Sequence, residues 1–176
     1  NLKPKNKTNK LFLIPIIAGI LMIGISLFFM VKNKSIWYSF IMPKNVKRML
    51  FWFPVILWMG LIFFLSSFNR LQASPIAWKD FVIRKLAHIT EYFVLYLLLF
   101  RALKNTSSIK GWKLLTTCLV ITFLYAITDE YHQTFVSGRS GRSTDIGFDT
   151  LGAVIGLVFF YKLICFLPKK IREYIV

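Results

Sequence analysis

The chain has 176 residues, room for about one domain, and 56% of them are hydrophobic, with 18 phenylalanines among them. Its mean hydropathy of +0.60 is too high for an ordinary water-soluble globule. Lys and Arg number 23 against 7 Asp and Glu, a formal charge of +16; on so apolar a chain that excess points to anionic lipid, not to nucleic acid.

A bilayer-spanning helix needs about 20 apolar residues, because hydrocarbon offers no partner to an unpaired backbone group. Five segments approach that length. The first, 11–31, is uncharged and ends without a small-residue cleavage site, so it reads as a retained helix and not a cleaved leader. After it, 36–42 is a short aromatic stretch flanked by lysines, suited to lying in the interface. The second span, 50–68, carries Trp52 and Trp58, side chains that favour headgroup level, and ends near Ser66 and Ser67.

The third span, 81–103, has Arg84, Lys85, His88 and Glu91 in its first turns. The fourth, 112–135, carries Asp129, Glu130, His132 and Gln133 at its far end. The fifth, 145–167, begins with Asp145 and Asp149 and has Lys162 near its end, placed to snorkel. Cys118 and Cys165 lie inside apolar runs, where a thiol acts as a small hydrophobe, so neither is given a disulfide or metal role. The expected fold is all-α: a polytopic helical membrane protein of about five transmembrane helices.

Consecutive spans alternate direction, so the start of the third, the end of the fourth and the start of the fifth reach one membrane face. Both histidines and every intramembrane carboxylate fall there. That region holds four basic residues (Arg84, Lys85, Arg139, Arg142) against five acidic ones (Glu91, Asp129, Glu130, Asp145, Asp149), while the rest of the chain has 19 basic residues against Asp80 and Glu173. Ionisable groups in a membrane segment are costly unless paired or hydrated, so this near-balanced cluster is the default functional site.

Residues three or four apart share a helix face, which predicts the pairs His88 with Glu91, Asp129 with His132, and Asp145 with Asp149. A carboxylate beside an imidazole fixes its tautomer and raises its basicity, as acid–base catalysis requires. Polar pairs that merely join helices are the plainer alternative. His88, His132, Glu91 and Asp129 are also the candidates for a divalent metal such as Zn or Mn, although no His-Glu-x-x-His motif is present. Ser66, Ser67, Ser137, Ser140 and Ser143 are hydroxyl candidates without a Gly-x-Ser-x-Gly elbow.

The loop 137–144 offers Arg139, Arg142, glycine amides and a helix start, the makings of an anion cradle for a lipid phosphate. Lys85 and Gln133 join it as candidate phosphate-binding groups, with Glu130, Asp145 and Asp149 in support. Neutralisation of nearby carboxylates by the two arginines is the competing reading. Gly152 and Gly156 form Gly-x-x-x-Gly, which permits close helix approach.

The string Lys85-Leu-Ala-His88-Ile-Thr-Glu91-Tyr92, then Asp129-Glu130-Tyr-His132-Gln133-x-Phe135-x-x-Gly138-Arg139 and Asp145-x-x-x-Asp149-x-x-Gly152-x-x-x-Gly156, resembles the VanZ-like family of bacterial membrane proteins. Ser66-Ser67 matches the end of that family's first core helix. The resemblance covers about residues 50 to 165 and implies a small helical protein of the bacterial cytoplasmic membrane, in a family named for a member associated with teicoplanin resistance. It divides the chain into a basic tail, added helix and interfacial segment at 1–48, a four-helix membrane core at 49–168, and a basic tail at 169–176.

Basic residues number 10 on the cluster's face and 12 on the other, Lys162 apart, which leaves orientation open by charge. The lysine-rich tail argues for the cluster inside and the resistance association for outside, the reading taken here. The expected function is binding of, or acid–base or metal-assisted chemistry on, a phosphorylated lipid headgroup or lipid-linked envelope precursor. In it His88 and His132 exchange protons while Glu91 and Asp129 orient them. The alternatives are a non-catalytic lipid- or drug-binding protein and a small proton-coupled transporter. The expected partners are membrane lipids, and no nucleic acid.

Overall fold

The computed structural model describes residues 43–68, 75–139 and 141–166. These form four helices: α1 Lys44–Ser66, α2 Ala77–Thr106, α3 Gly111–Gln133 and α4 Ser143–Phe166. The expected first span 11–31, the interfacial stretch 36–42, the C-terminal tail, Ser140 and the Cys165 side chain lie outside the described residues.

All four helices are long and apolar enough to cross a membrane. The chain is an all-helical membrane protein with no strand among the described residues. α2 has 30 residues, about 45 Å of helix, longer than the hydrocarbon core, so its charged first turns extend toward the headgroups. Its start comes earlier than a count of apolar residues predicts, because the helical ladder continues through Lys79 and Asp80; the Asp80 amide donates to the Ile76 carbonyl at 2.9 Å.

α2 is the central element. It packs against the other three helices, as α3 does, whereas α1 and α4 meet little. Tyr92, Leu95, Tyr96 and Leu99 of α2 are fully buried with Trp58 and Ile62 of α1, Cys118 and Ala126 of α3, and Ala153 of α4. Phe53, Ile56, Leu124 and Phe159 face outward, as lipid-facing residues must.

Four aromatic polar tips fix how the helices sit in register. Trp52 Nε1 donates to Thr106 Oγ1 at 3.1 Å and Trp58 Nε1 to the Glu91 carbonyl at 2.9 Å, joining α1 to α2. Tyr125 donates its hydroxyl to the Met59 carbonyl at 2.6 Å, and Tyr96 to the Leu115 carbonyl at 3.1 Å. Threonines satisfy their own hydroxyls by bonding back one turn, as Thr122 does to Cys118 and Thr150 to Ile146. Cys118 is a buried free thiol.

Candidate functional site

α4 is free of bulk where it crosses α2. A Cβ built on Gly152 would stand 2.3 Å from the Ile89 carbonyl oxygen and 3.0 Å from the Phe93 nitrogen; one on Gly156 would stand 2.7 Å from the Tyr96 ring. The Gly-x-x-x-Gly pair therefore lets the two backbones touch, and the residues one turn earlier meet across the contact. Asp149 Oδ1 lies 2.8 Å from His88 Nδ1, and Asp145 Oδ1 accepts from Lys85 Nζ. Asp149 is fully buried.

The pairing predicted along α2 and along α3 is not what the fold makes. His88 bonds to Asp149 of α4 and not to Glu91, because the glycine contact brings α4's carboxylate directly against the imidazole. The Glu91 carboxylate remains within electrostatic reach of His88, Asp149, Asp129 and Arg139. Asp129 likewise does not bond to His132. Its Oδ2 accepts from Gln133 Nε2 at 2.9 Å and from the Tyr92 hydroxyl at 3.5 Å. His132 instead lies beside α1, its Nδ1 3.5 Å from Ser66 Oγ and its ring centroid 4.1 Å from that of Phe63. Asp145 and Asp149 share a face as predicted, each with a basic partner on α2.

The segment after α3 closes over this end. Arg139 Nη1 donates to Gln133 Oε1 at 2.8 Å, Nη2 to the Leu65 carbonyl at 3.1 Å and Nε to the Phe68 carbonyl at 2.9 Å. Its guanidinium thus caps the C-terminal carbonyls of α1, where a cation is favoured by the helix dipole. Burial pulls the Arg139 pKa below its ordinary value while Asp129, Glu91 and Glu130 push it back up; arginine starts so high that it stays charged. The Arg142 amide donates to Glu130 Oε2 at 2.9 Å. Gly141 fits against the same glutamate, since a Cβ there would stand 2.7 Å from the Glu130 carbonyl oxygen. Gly138 takes φ +77°, open to glycine at little cost.

The fold thus brings Lys85, His88, Glu91, Asp129, Glu130, His132, Gln133, Arg139, Asp145 and Asp149 to one end of the bundle, where Asp80 pairs with Arg84 as well. Arg142 reaches it through its backbone amide, with the residue itself exposed. Three buried carboxylate oxygens accept no hydrogen bond: Asp129 Oδ1, Glu130 Oε1 and Asp149 Oδ2. Among the described residues no three His, Cys, Asp or Glu side chains converge as a metal-ligand set, so His88, His132, Glu91 and Asp129 do not fit the metal expectation. Tyr92 and the carbonyls of Leu65 and Phe68 are participants that residue type alone did not mark.

The family model described as VanZ/LLP1 matches residues 51–166, α1 through α4. No curated protein and no solved structure matches the chain. With that match covering well over half its length, including every element that builds the polar end, the chain belongs to the VanZ/LLP1 family.

Proposed function

We propose that this is a multi-pass protein of the bacterial cytoplasmic membrane that binds a lipid headgroup or lipid-linked envelope precursor and acts on it by acid–base chemistry at His88. The observation that carries the reading is the 2.8 Å contact of His88 Nδ1 with a fully buried Asp149. A carboxylate on one ring nitrogen sets the tautomer and leaves the other nitrogen to exchange protons. Glu91 tunes the pair from within electrostatic reach, and His132 beside Ser66 is a second proton carrier. In this reading the polar end faces outward and its activity alters susceptibility to teicoplanin.

Mass spectrometry of lipids from membranes carrying the protein, its His88→Gln variant or its Asp149→Asn variant tests this directly. The expected result is a product species present with the parent protein and lost with His88→Gln. Unchanged product from a correctly folded His88→Gln protein sinks the catalytic role.

Binding without turnover is the second reading, supported by how fully Lys85 and Arg139 are engaged within the protein. It predicts ligand-dependent thermal stabilisation with no new lipid species.

A further inference from the structure

We propose that the end of the bundle opposite the polar cluster is a docking surface for anionic phospholipid, separate from any headgroup handled at His88. The first support is how the fold segregates charge. Every described Asp and Glu belongs to the polar end. The opposite end gathers the start of α1, the end of α2, the start of α3 and the end of α4. It carries Arg48, Lys104, Lys110, Lys113 and Lys162, with no Asp or Glu among the described residues there. Lys104 lies 13 positions beyond Glu91 on α2 and Lys162 lies 13 beyond Asp149 on α4, about 20 Å of helix in each case. An ion pair reaches about 4 Å, so the carboxylates that hold Lys85 and His88 do not neutralise this end.

The second support is that the two ends use their cations differently. At the polar end Arg84 is paired with Asp80, Lys85 with Asp145, and three nitrogens of Arg139 donate within the protein. At the opposite end Arg48, Lys110, Lys113 and Lys162 are all exposed. Arg101, about one turn further in, is buried with its guanidinium 5.0 Å from the Phe51 ring and adds its charge to the same end. Clustered Lys and Arg at the edge of a membrane span attract anionic lipid.

The third support is the aromatic framing of that charge. The rings of Trp112 and Tyr161 meet edge to face with centroids 6.4 Å apart, and the two residues are 60% and 53% exposed. Their contact sets the start of α3 level with the last turns of α4, so Lys113 and Lys162, each the residue after one of the rings, stand at one depth. Trp52, bonded to Thr106, joins the start of α1 to the end of α2 in the same way. Exposed Trp and Tyr settle where hydrocarbon gives way to headgroups, which puts the adjacent ammoniums within reach of lipid phosphates.

Lipid selectivity of the full-length chain tests the proposal, read by electron paramagnetic resonance with spin-labelled phosphatidylglycerol and spin-labelled phosphatidylcholine in phosphatidylcholine vesicles. Phosphatidylglycerol should be enriched at the protein, and the enrichment should weaken as salt rises, because the Debye length shrinks from about 10 Å at 0.1 M to about 3 Å at 1 M. The triple variant Lys110→Gln, Lys113→Gln, Lys162→Gln should lose about fivefold or more of that preference, each cation near an anionic surface being worth up to about that factor. Lys113→Gln alone should lose part of it, while Lys79→Gln, which removes an exposed charge from the polar end, should leave it unchanged. If the triple variant does not fold, the two single variants decide. Equal affinity of the parent protein for both lipids overturns the proposal. So does a preference that the Lys113 and triple variants keep in full, or one that Lys79→Gln reduces as much as Lys113→Gln does.

Discussion

His88 Nδ1 and Asp149 Oδ1 stand 2.8 Å apart across 61 positions of sequence, and the glycine three residues beyond Asp149 is what lets them meet. With any side chain at 152, α4 would have to withdraw from the Ile89 carbonyl, and the carboxylate would withdraw with it. The His88–Asp149 contact at the polar end is thus tied to a backbone contact between α2 and α4.

Gly152→Ala should therefore destabilise the bundle by about 1–3 kcal/mol, the usual cost of overpacking, because the obstructing atoms are backbone and cannot rotate away. Gly147→Ala on the same helix has nothing within 4 Å of the new methyl and should stay within about 0.5 kcal/mol of the parent. Unfolding in mixed micelles with increasing dodecyl sulfate reads both. Equal behaviour of the two variants would dissolve the link between the glycine and the site.

The His88–Asp149 bond itself should register as coupling. In a cycle of His88→Ala, Asp149→Ala and the double variant, the interaction energy should lie between about 0.6 kcal/mol, the average for hydrogen bonds between membrane helices, and about 1.7 kcal/mol, the largest found. The same micelle unfolding supplies all four values. Strict additivity would mean the two side chains do not sustain each other's position.

Ser66 gives a contrasting expectation. Its hydroxyl donates to the Phe63 carbonyl at 2.9 Å, while His132 Nδ1 is 3.5 Å away, at the outer limit of a hydrogen bond. Ser66→Ala should cost under about 1 kcal/mol, since the backbone carbonyl it releases is already bonded within α1. Product formation in the lipid assay should persist in this variant. Complete loss of product from a stable Ser66→Ala protein would instead make the hydroxyl a reacting group.

The four spans, and the membrane end at which the polar residues gather, were legible because both follow from two simple constraints: apolar length and the alternation of direction. Which residues bond to which was not. A spacing of three places His88 and Glu91 on one face of α2, yet the partner that reaches the imidazole comes from α4, set by a glycine contact that no spacing within α2 encodes. The same holds for Asp129, whose partners are Gln133 and Tyr92 where His132 had the matching spacing. The partners of Arg139 were hidden for a further reason. Two of its acceptors are main-chain carbonyls at the end of α1, groups every residue carries, so composition could not mark them.

Those partners lead to the last prediction. Arg139 spans three acceptors at once, the carbonyls of Leu65 in the last turn of α1 and of Phe68 just beyond it, and the Gln133 amide that in turn donates to Asp129. Lysine keeps the charge but presents a point of donors where the guanidinium is a planar fork, so it cannot reach all three. Arg139→Lys should therefore release the segment between α3 and α4 almost as fully as Arg139→Ala does. The amides of Arg139 and Arg142, now bonded to Val136 and Glu130, should exchange with deuterium faster in both variants. If charge alone held the segment, lysine would protect those amides as arginine does, and the exchange rates would separate the two variants.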